Sequence, residues 1–344
     1  VALDSHYEIE RLSPNVLTLD FCSYRRSDVD EWSEPMPVIA VQEVLADEDY
    51  RGDVSLRFTF TTSVVPDDLA AVIEDGDRCR VAVNGNAVAY AGDPYVVDPS
   101  FIPIPIADHA RVGENTVEIT RSFEPPAQPR FRLGGLFQTA SGVELEAIYL
   151  TGSYAAAGSL STKPQEPNAV RFAPEFRLTE EPETTDGELL ASGYPFFAGR
   201  VRLMQEVLLA APGPEERVFL RLSNASAGVI AVSVNGLSAG YLAWPPYETD
   251  ITDLMTAGAN RISFELATTL RNMLGPHHRP SGEPDQVWGD GWTGRSGPRR
   301  RDTDKVSGPD WWQHRDRDDV FWTDDYFFVP TGISRAVVEY RRPT

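Results

Sequence analysis

The sequence predicts an all-β protein built from two tandem antiparallel β-sandwiches, and three observations carry that expectation. Short runs rich in Val, Ile, Leu, Phe and Thr alternate apolar and polar residues with period two. Between them, 26 glycines and 27 prolines are dispersed as turns. The landmarks of one such region recur, in the same order, in a second. At 344 residues the chain has room for two domains of about 100–200 residues each.

Taken in order, the chain begins at Val1 with no initiator Met, basic n-region or apolar h-region, and so reads as a processed product or a piece of a longer protein. Met36 to Leu45 and Asp67 to Ile73 are the two short helix candidates. Val54 to Thr62 puts Leu56, Phe58 and Phe60 on the face opposite Arg57 and Thr59, the pattern of a strand with one face buried. Arg80 to Val83, Thr116 to Thr120, Val218 to Leu222, Ile230 to Val234 and Arg261 to Leu266 alternate in the same way. Tyr154 to Asn168 combines small residues, Ser and Pro and reads as a linker or an exposed crossing. The expected boundary is therefore near residue 160. A first sandwich with an N-terminal lead-in occupies 1–160, and a second, carrying a long Trp-rich loop at 275–319, occupies 161–344.

The repeat is specific. Arg80 to Tyr90 reads RVAVNGNAVAY and Ala231 to Tyr241 reads AVSVNGLSAGY. Pro94-Tyr95 is matched by Pro246-Tyr247, and Ile106-Ala107-Asp108 by Ile251-Thr252-Asp253. Gly113-Glu114-Asn115 before Val117 and Ile119 is matched by Gly258-Ala259-Asn260 before Ile262 and Phe264. Asn-Gly between alternating strands suits a type I′ hairpin, whose two central positions need positive φ. Four landmarks at similar spacing point to duplication of one β module.

Composition excludes several classes of partner. Lys plus Arg number 31 against 52 Asp plus Glu, a formal charge of −21. That balance repels phosphate backbones and anionic lipid surfaces, so neither nucleic acid nor membrane is an expected partner. No apolar run approaches the roughly 20 residues of a membrane-spanning helix. The two cysteines, Cys22 and Cys79, lie in strand-like sequence and read as buried free thiols, although a single bridge between them stays open.

The repeated residues resemble the sugar-binding-like, galactose-binding-type jelly-roll domains that accompany the catalytic barrel in glycoside hydrolase family two and related bacterial glycosidases. The second copy carries the resemblance best, in Val234-Asn235-Gly236, Gly240, Trp244 to Tyr247, Asp250 to Asp253, Gly258 and Asn260. Gly193 to Gly199 (GYPFFAG), Leu270 to His278 (LRNMLGPHH) and Asn15 to Gln42 are similar to segments of large bacterial glycoside hydrolases. The resemblance implies two jelly rolls forming an accessory region that braces a catalytic domain of the same enzyme and lends loops to glycan binding. It also implies that such a module can carry a structural calcium. No pattern of strands alternating with ten-residue helices is present, so the catalytic barrel is expected outside this chain, and no catalytic residue is assigned. A free-standing carbohydrate-binding module, an assembly domain without ligand, and a chain that is itself hydrolytic are the alternatives. The sugar and the compartment stay open.

Candidate sites follow from chemistry. Glycoside hydrolysis normally uses two carboxyl groups about 5 Å or roughly 6.5–9.5 Å apart, and among 52 acidic residues chance pairs abound. Asp250 and Asp253 read as turn carboxylates, and Glu43 and Glu206 as members of solvated faces. Aromatic rings stack on the C–H faces of sugars. Trp288, Trp292, Trp311, Trp312 and Trp322 fall within one stretch, where they either line a glycan cleft or anchor a long loop. Trp244 and Tyr247, in Trp-Pro-Pro-Tyr, form either a stacking platform or a rigid corner that packs Trp244 into the sandwich. His277 and His278 are adjacent, which does not suit one metal; they read as a turn beside an interface, or as a single His on substrate. Asp316, Asp318, Asp319, Asp324 and Asp325 would serve either as a calcium site or as a solvated acidic loop. Gly-rich nucleotide fingerprints and Gly-x-Ser-x-Gly are absent.

Overall fold

The computed structural model describes residues 1–90, 96–125, 142–163, 169–278, 323–333 and 335–342. Its described residues form antiparallel sheets packed as β-sandwiches, with no closed barrel. They divide into two compact units, Leu17–Ser153 and the described residues of Val1–Val16 with the chain from Tyr154 onward.

In the unit Leu17–Ser153, one sheet runs in the order Phe21–Arg26, Gly52–Thr62, Gly113–Phe123, Arg80–Val83, Asn86–Val88. A second has the order Ile148–Gly152, Ala70–Glu74, Phe101–Pro105. Alternation places Leu56, Phe58, Val81, Val83, Val117 and Ile119 inward, where all are buried. Ala71, Ile73, Ile102, Ile104 and Leu150 of the second sheet are buried too.

The other unit repeats this plan. Tyr7–Arg11, Arg200–Leu209, Gly258–Ala267, Val229–Val234 and Leu237–Leu242 follow one another in one sheet, with the two-residue Thr184–Thr185 added at its edge. Its second sheet has the order Ala336–Arg341, Arg217–Leu222, Glu248–Asp250. Between them lie Leu203, Val218, Leu220, Val232, Ile262, Phe264, Leu266 and Val338 in one apolar cluster. Burial of such side chains, worth about 1.5–3 kcal/mol each, is the main force holding the layers together.

The duplicated landmarks explain why both copies fold alike. In the first hairpin Asn84 and Gly85 have φ of 50° and 81°, and in the second Asn235 and Gly236 have 53° and 79°. Each hairpin Asn then locks onto a buried Asn at the start of the long strand. Asn84 Nδ2 donates to Asn115 Oδ1 at 2.8 Å and to the His109 carbonyl at 2.8 Å. Asn235 Nδ2 donates to Asn260 Oδ1 at 2.9 Å and to the Leu254 carbonyl at 3.1 Å. The buried partners close their own turns: Asn115 Nδ2 donates to the Arg111 and Gly113 carbonyls, and Asn260 Nδ2 to those of Thr256 and Gly258.

Three sequence expectations need correction. The first helix forms, but over Val38–Asp47, because Met36–Pro37 pairs instead with Phe21 and Cys22. Asp67 to Ile73 is not helical; Ala70–Glu74 is a strand paired on both sides, with Ala70 to Ile73 all buried. A short apolar run buried on both faces has no period to betray it. Tyr154 to Leu160 is not a linker. Ala155–Leu160 pairs with Val170–Thr179, and Tyr154, Ala155 and Ala156 are buried. Its small residues serve close approach: a Cβ on Gly193 would lie 2.6 Å from that of Ala155, and Ala156 N donates to the Gly193 carbonyl. Both cysteines are free; Cys22 is buried, and burial pushes its thiol up to about 12.

Candidate functional site

The unit containing the second copy opens into a pocket of about 840 Å³. Five chain segments line it: Ser5, the turn Asp186–Glu188, the end of the strand Arg217–Leu222 with the turn after it, the Pro245–Tyr247 corner, and Pro330–Ile333. Among the lining residues are two glycines with positive φ, Gly187 at 95° and Gly332 at 138°. Side chains there are excluded by contact. A Cβ on Gly187 would sit 2.2 Å from the Ile333 carbonyl oxygen, and one on Gly332 would sit 2.1 Å from that of Gly187. The backbones can therefore bond directly, Ile333 N to the Gly187 carbonyl at 3.0 Å and Leu189 N to the Thr331 carbonyl at 2.9 Å.

Its ring-bearing lining residues are Pro245, Pro246, Tyr247 and Pro330. The Tyr247 carbonyl accepts Leu222 N at 2.9 Å, which fixes the corner to the strand. The polar groups are Asp186, Glu188, Arg221 and Asn224. Burial pushes the Glu188 carboxyl up, although the Ala191 and Leu190 amides donate to it at 2.8 and 3.1 Å. With both oxygens so engaged, Glu188 holds the turn and is poorly placed to pass protons. Asp186 Oδ1 accepts Glu188 N at 3.1 Å. The Arg221 side chain is 53% exposed and lies 3.9 Å from Glu339, too long for a firm pair. The lining thus combines apolar ring side chains with a few polar groups, as small-molecule pockets commonly do.

The residues singled out in the sequence fall into three sets. Tyr247 lines the pocket. Trp244 does not; it stands 76% exposed beside the corner, not packed into the sandwich. His277 and His278 are buried in a cluster with Phe196, Tyr326 and Phe328. His277 Nε2 lies 2.8 Å from the Asn272 carbonyl and His278 Nδ1 3.0 Å from that of Thr323. Their backbone carbonyls accept Phe327 N and Thr323 N. Trp288, Trp292, Trp311, Trp312 and Trp322, with Asp316, Asp318 and Asp319, lie outside the described residues.

Of the acidic candidates, Asp250 closes a turn. Its Oδ1 accepts the Thr252 amide and hydroxyl at 2.9 and 2.6 Å, and its Oδ2 accepts Arg217 Nε at 2.5 Å. Burial acts to raise its pKa, but Thr252 and Arg217 outweigh it and hold the carboxyl below its usual range. Glu206 is exposed on the outer sheet face, and Glu43 lies on the helix. Asp325 is buried and bonded by Ser161 Oγ at 2.7 Å and Arg171 Nε at 2.6 Å. Among the described residues no group of three or more His, Cys, Asp or Glu is placed to hold a metal ion, and no helix is long and apolar enough to cross a membrane.

Sequence reasoning missed Asp186, Glu188, Arg221 and Asn224. The one available signal was Asp186-Gly187, a turn dipeptide, with Thr331-Gly332 far along the chain.

The chain matches no protein-family model and no curated protein. It shows likeness to parts of solved glycoside hydrolases. With a rhamnosidase from Novosphingobium sp. PP1Y it shares 14% identity over 64% of this chain and 19% of that one, at a TM-score of 0.24. With a β-D-glucuronidase from Dictyoglomus thermophilum the values are 13%, 76%, 39% and 0.28. With a β-D-mannosidase from the same organism they are 11%, 74%, 31% and 0.29. The chain thus spans less than half the length of each, and at such TM-scores the likeness establishes neither a family nor an activity.

Proposed function

We propose that the chain is the non-catalytic accessory β-sandwich region of a glycoside hydrolase, which braces a catalytic domain and lends loops to glycan binding. The observation that carries this reading is the duplicated module, whose V-x-V-N-G, turn-aspartate and G-x-N landmarks resemble those of accessory jelly rolls. These landmarks have structural work to do in both copies, as the two Asn locks attest. The acidic groups described above hold turns and ion pairs, which agrees with a bracing role. In the same reading the two sandwiches are two domains, the second bearing the Trp-rich loop. A carbohydrate-binding module acting alone is favoured by one observation, the exposed ring of Trp244.

The test is to express the complete coding frame, the frame without this chain, and this chain alone, and to assay each on aryl glycosides. The reading expects turnover by the complete protein, reduced when the chain is removed, and none by the chain alone. Turnover by the isolated chain, abolished by a single Asp or Glu substitution, contradicts it.

A further inference from the structure

We propose that the pocket bounded by the Asp186–Glu188 turn and the Pro245–Tyr247 corner binds one neutral pyranose ring at the end of a glycan. The inference rests on the glycan-associated reading above for its ligand class and goes beyond it in assigning the site, the recognising residues and the charge of the sugar.

Shape comes first. At about 840 Å³ the pocket is within the range of small-molecule sites, roughly 300–1,000 Å³. Gly187 and Gly332, where no side chain fits, are among the residues that line it. Pro245 and Pro246, both exposed, and the half-buried Tyr247 supply its ring side chains. A pyranose has one C–H-rich face that stacks on such rings and an equatorial belt of hydroxyls that needs donors and acceptors. Asn224 is exposed and supplies both, while the Arg221 guanidinium supplies donors only. Asp186, exposed at the mouth, supplies acceptors.

Charge narrows the ligand. Two carboxylates and one guanidinium line the pocket, and the Glu339 and Glu248 carboxylates lie on the Arg221 side. The whole chain carries −21. A uronate would bring its carboxylate against this field, whereas a neutral sugar brings only hydroxyls.

The first copy differs at the turn that follows the matching strand Ala70–Glu74: Gly76–Arg78 is a 3₁₀ turn, and a Cβ on Gly76 would lie 3.2–3.4 Å from Ile102, Ile73 and Ile104.

Calorimetric titration of the chain with neutral disaccharides of gluco, galacto and manno configuration, and with the matching uronates, tests the proposal. Binding of a neutral sugar is expected, weakened about tenfold by Arg221→Ala and by Asn224→Ala, as loss of a hydroxyl partner predicts. Both residues are exposed, so thermal unfolding should stay unchanged in the variants, and Trp244→Ala should leave affinity unchanged. Binding that survives both pocket substitutions but is lost in Trp244→Ala overturns the proposal, as does tighter binding of a uronate or no binding of any sugar at millimolar concentration. Those results leave the accessory reading standing, which only turnover by the isolated chain removes.

Discussion

The two copies share an inner face and differ on the outer one. In the first, the outer side of the strand Ala70–Glu74 carries Val72, fully buried, next to Tyr149, which is 6% exposed. In the second, the matching position is Arg221, within a solvated lattice of charge. Arg341 there bonds both oxygens of Glu248 at 3.0 and 2.8 Å and Glu339 at 2.6 Å, and its guanidinium lies 4.4 Å from the Phe219 ring centre. The strand order and the Asn lock are the same in both. The lock and the inward alternation define the module, while its outer face is free to diverge.

The largest loss is expected where Gly187 meets Gly332 and Ile333 in the second copy. Gly187→Ala adds a Cβ at 2.2 Å from a carbonyl oxygen and at φ of 95°, so a loss of about 4 kcal/mol is expected from overpacking and left-handed strain together. Gly76→Ala, in the 3₁₀ turn of the first copy, meets only side-chain atoms at 3.2 Å or more, and about 1 kcal/mol is expected. Urea unfolding of the two variants checks this contrast.

Next in size is the lock itself. Asn115→Ala and Asn260→Ala each strip a buried turn of its donors and acceptors, and each should cost about 3 kcal/mol. Equal losses would confirm that the two turns are the same device. Hydrogen exchange should rise at Arg111 in the first variant and at Thr256 in the second; a rise at the wrong copy would deny their equivalence.

The smallest effects are those of pH, and they have opposite signs in the two copies. Glu146 of the first is exposed at its surface yet crowded by the chain, and dehydration, then Glu74 and Glu144, push its carboxyl up to about 7. A raised carboxyl favours folding in its protonated form, so its penalty is absent below about pH 4.5 and grows until about pH 7. Glu146→Gln should therefore raise the melting temperature at pH 8 and leave it unchanged at pH 4. Asp250 of the second copy is held low, so its contribution is present above the ordinary carboxylate range and fades as pH falls through its folded value. Asp250→Asn should lower the melting temperature at pH 7 and have little effect near pH 2.

Much of this was legible in the sequence. Period two located the core strands, since one residue in two must face the opposite sheet, and the repeated Asn-Gly and Gly-x-Asn steps marked turns whose φ values few other residues tolerate. What stayed hidden depends on tertiary context. The run Ala70 to Ile73 is buried on both faces and so has no alternation. Ala155 and Ala156 are small because Gly193 approaches them, not because the chain bends freely there. Arg121 takes the inward position that Leu266 holds in the second copy, facing Asp75 at 3.9 Å, an exception that no pattern announces. The pocket draws on residues from Asp186 to Ile333, and only folding brings them together.

Hydrogen exchange with and without a saturating neutral oligosaccharide most directly tests the claim that one module is used twice, once for structure and once for binding. Added protection is expected in peptides covering 186–188, 221–226 and 245–247, with Leu17–Ser153 unchanged. Protection centred within Leu17–Ser153, or none in either copy, would contradict it.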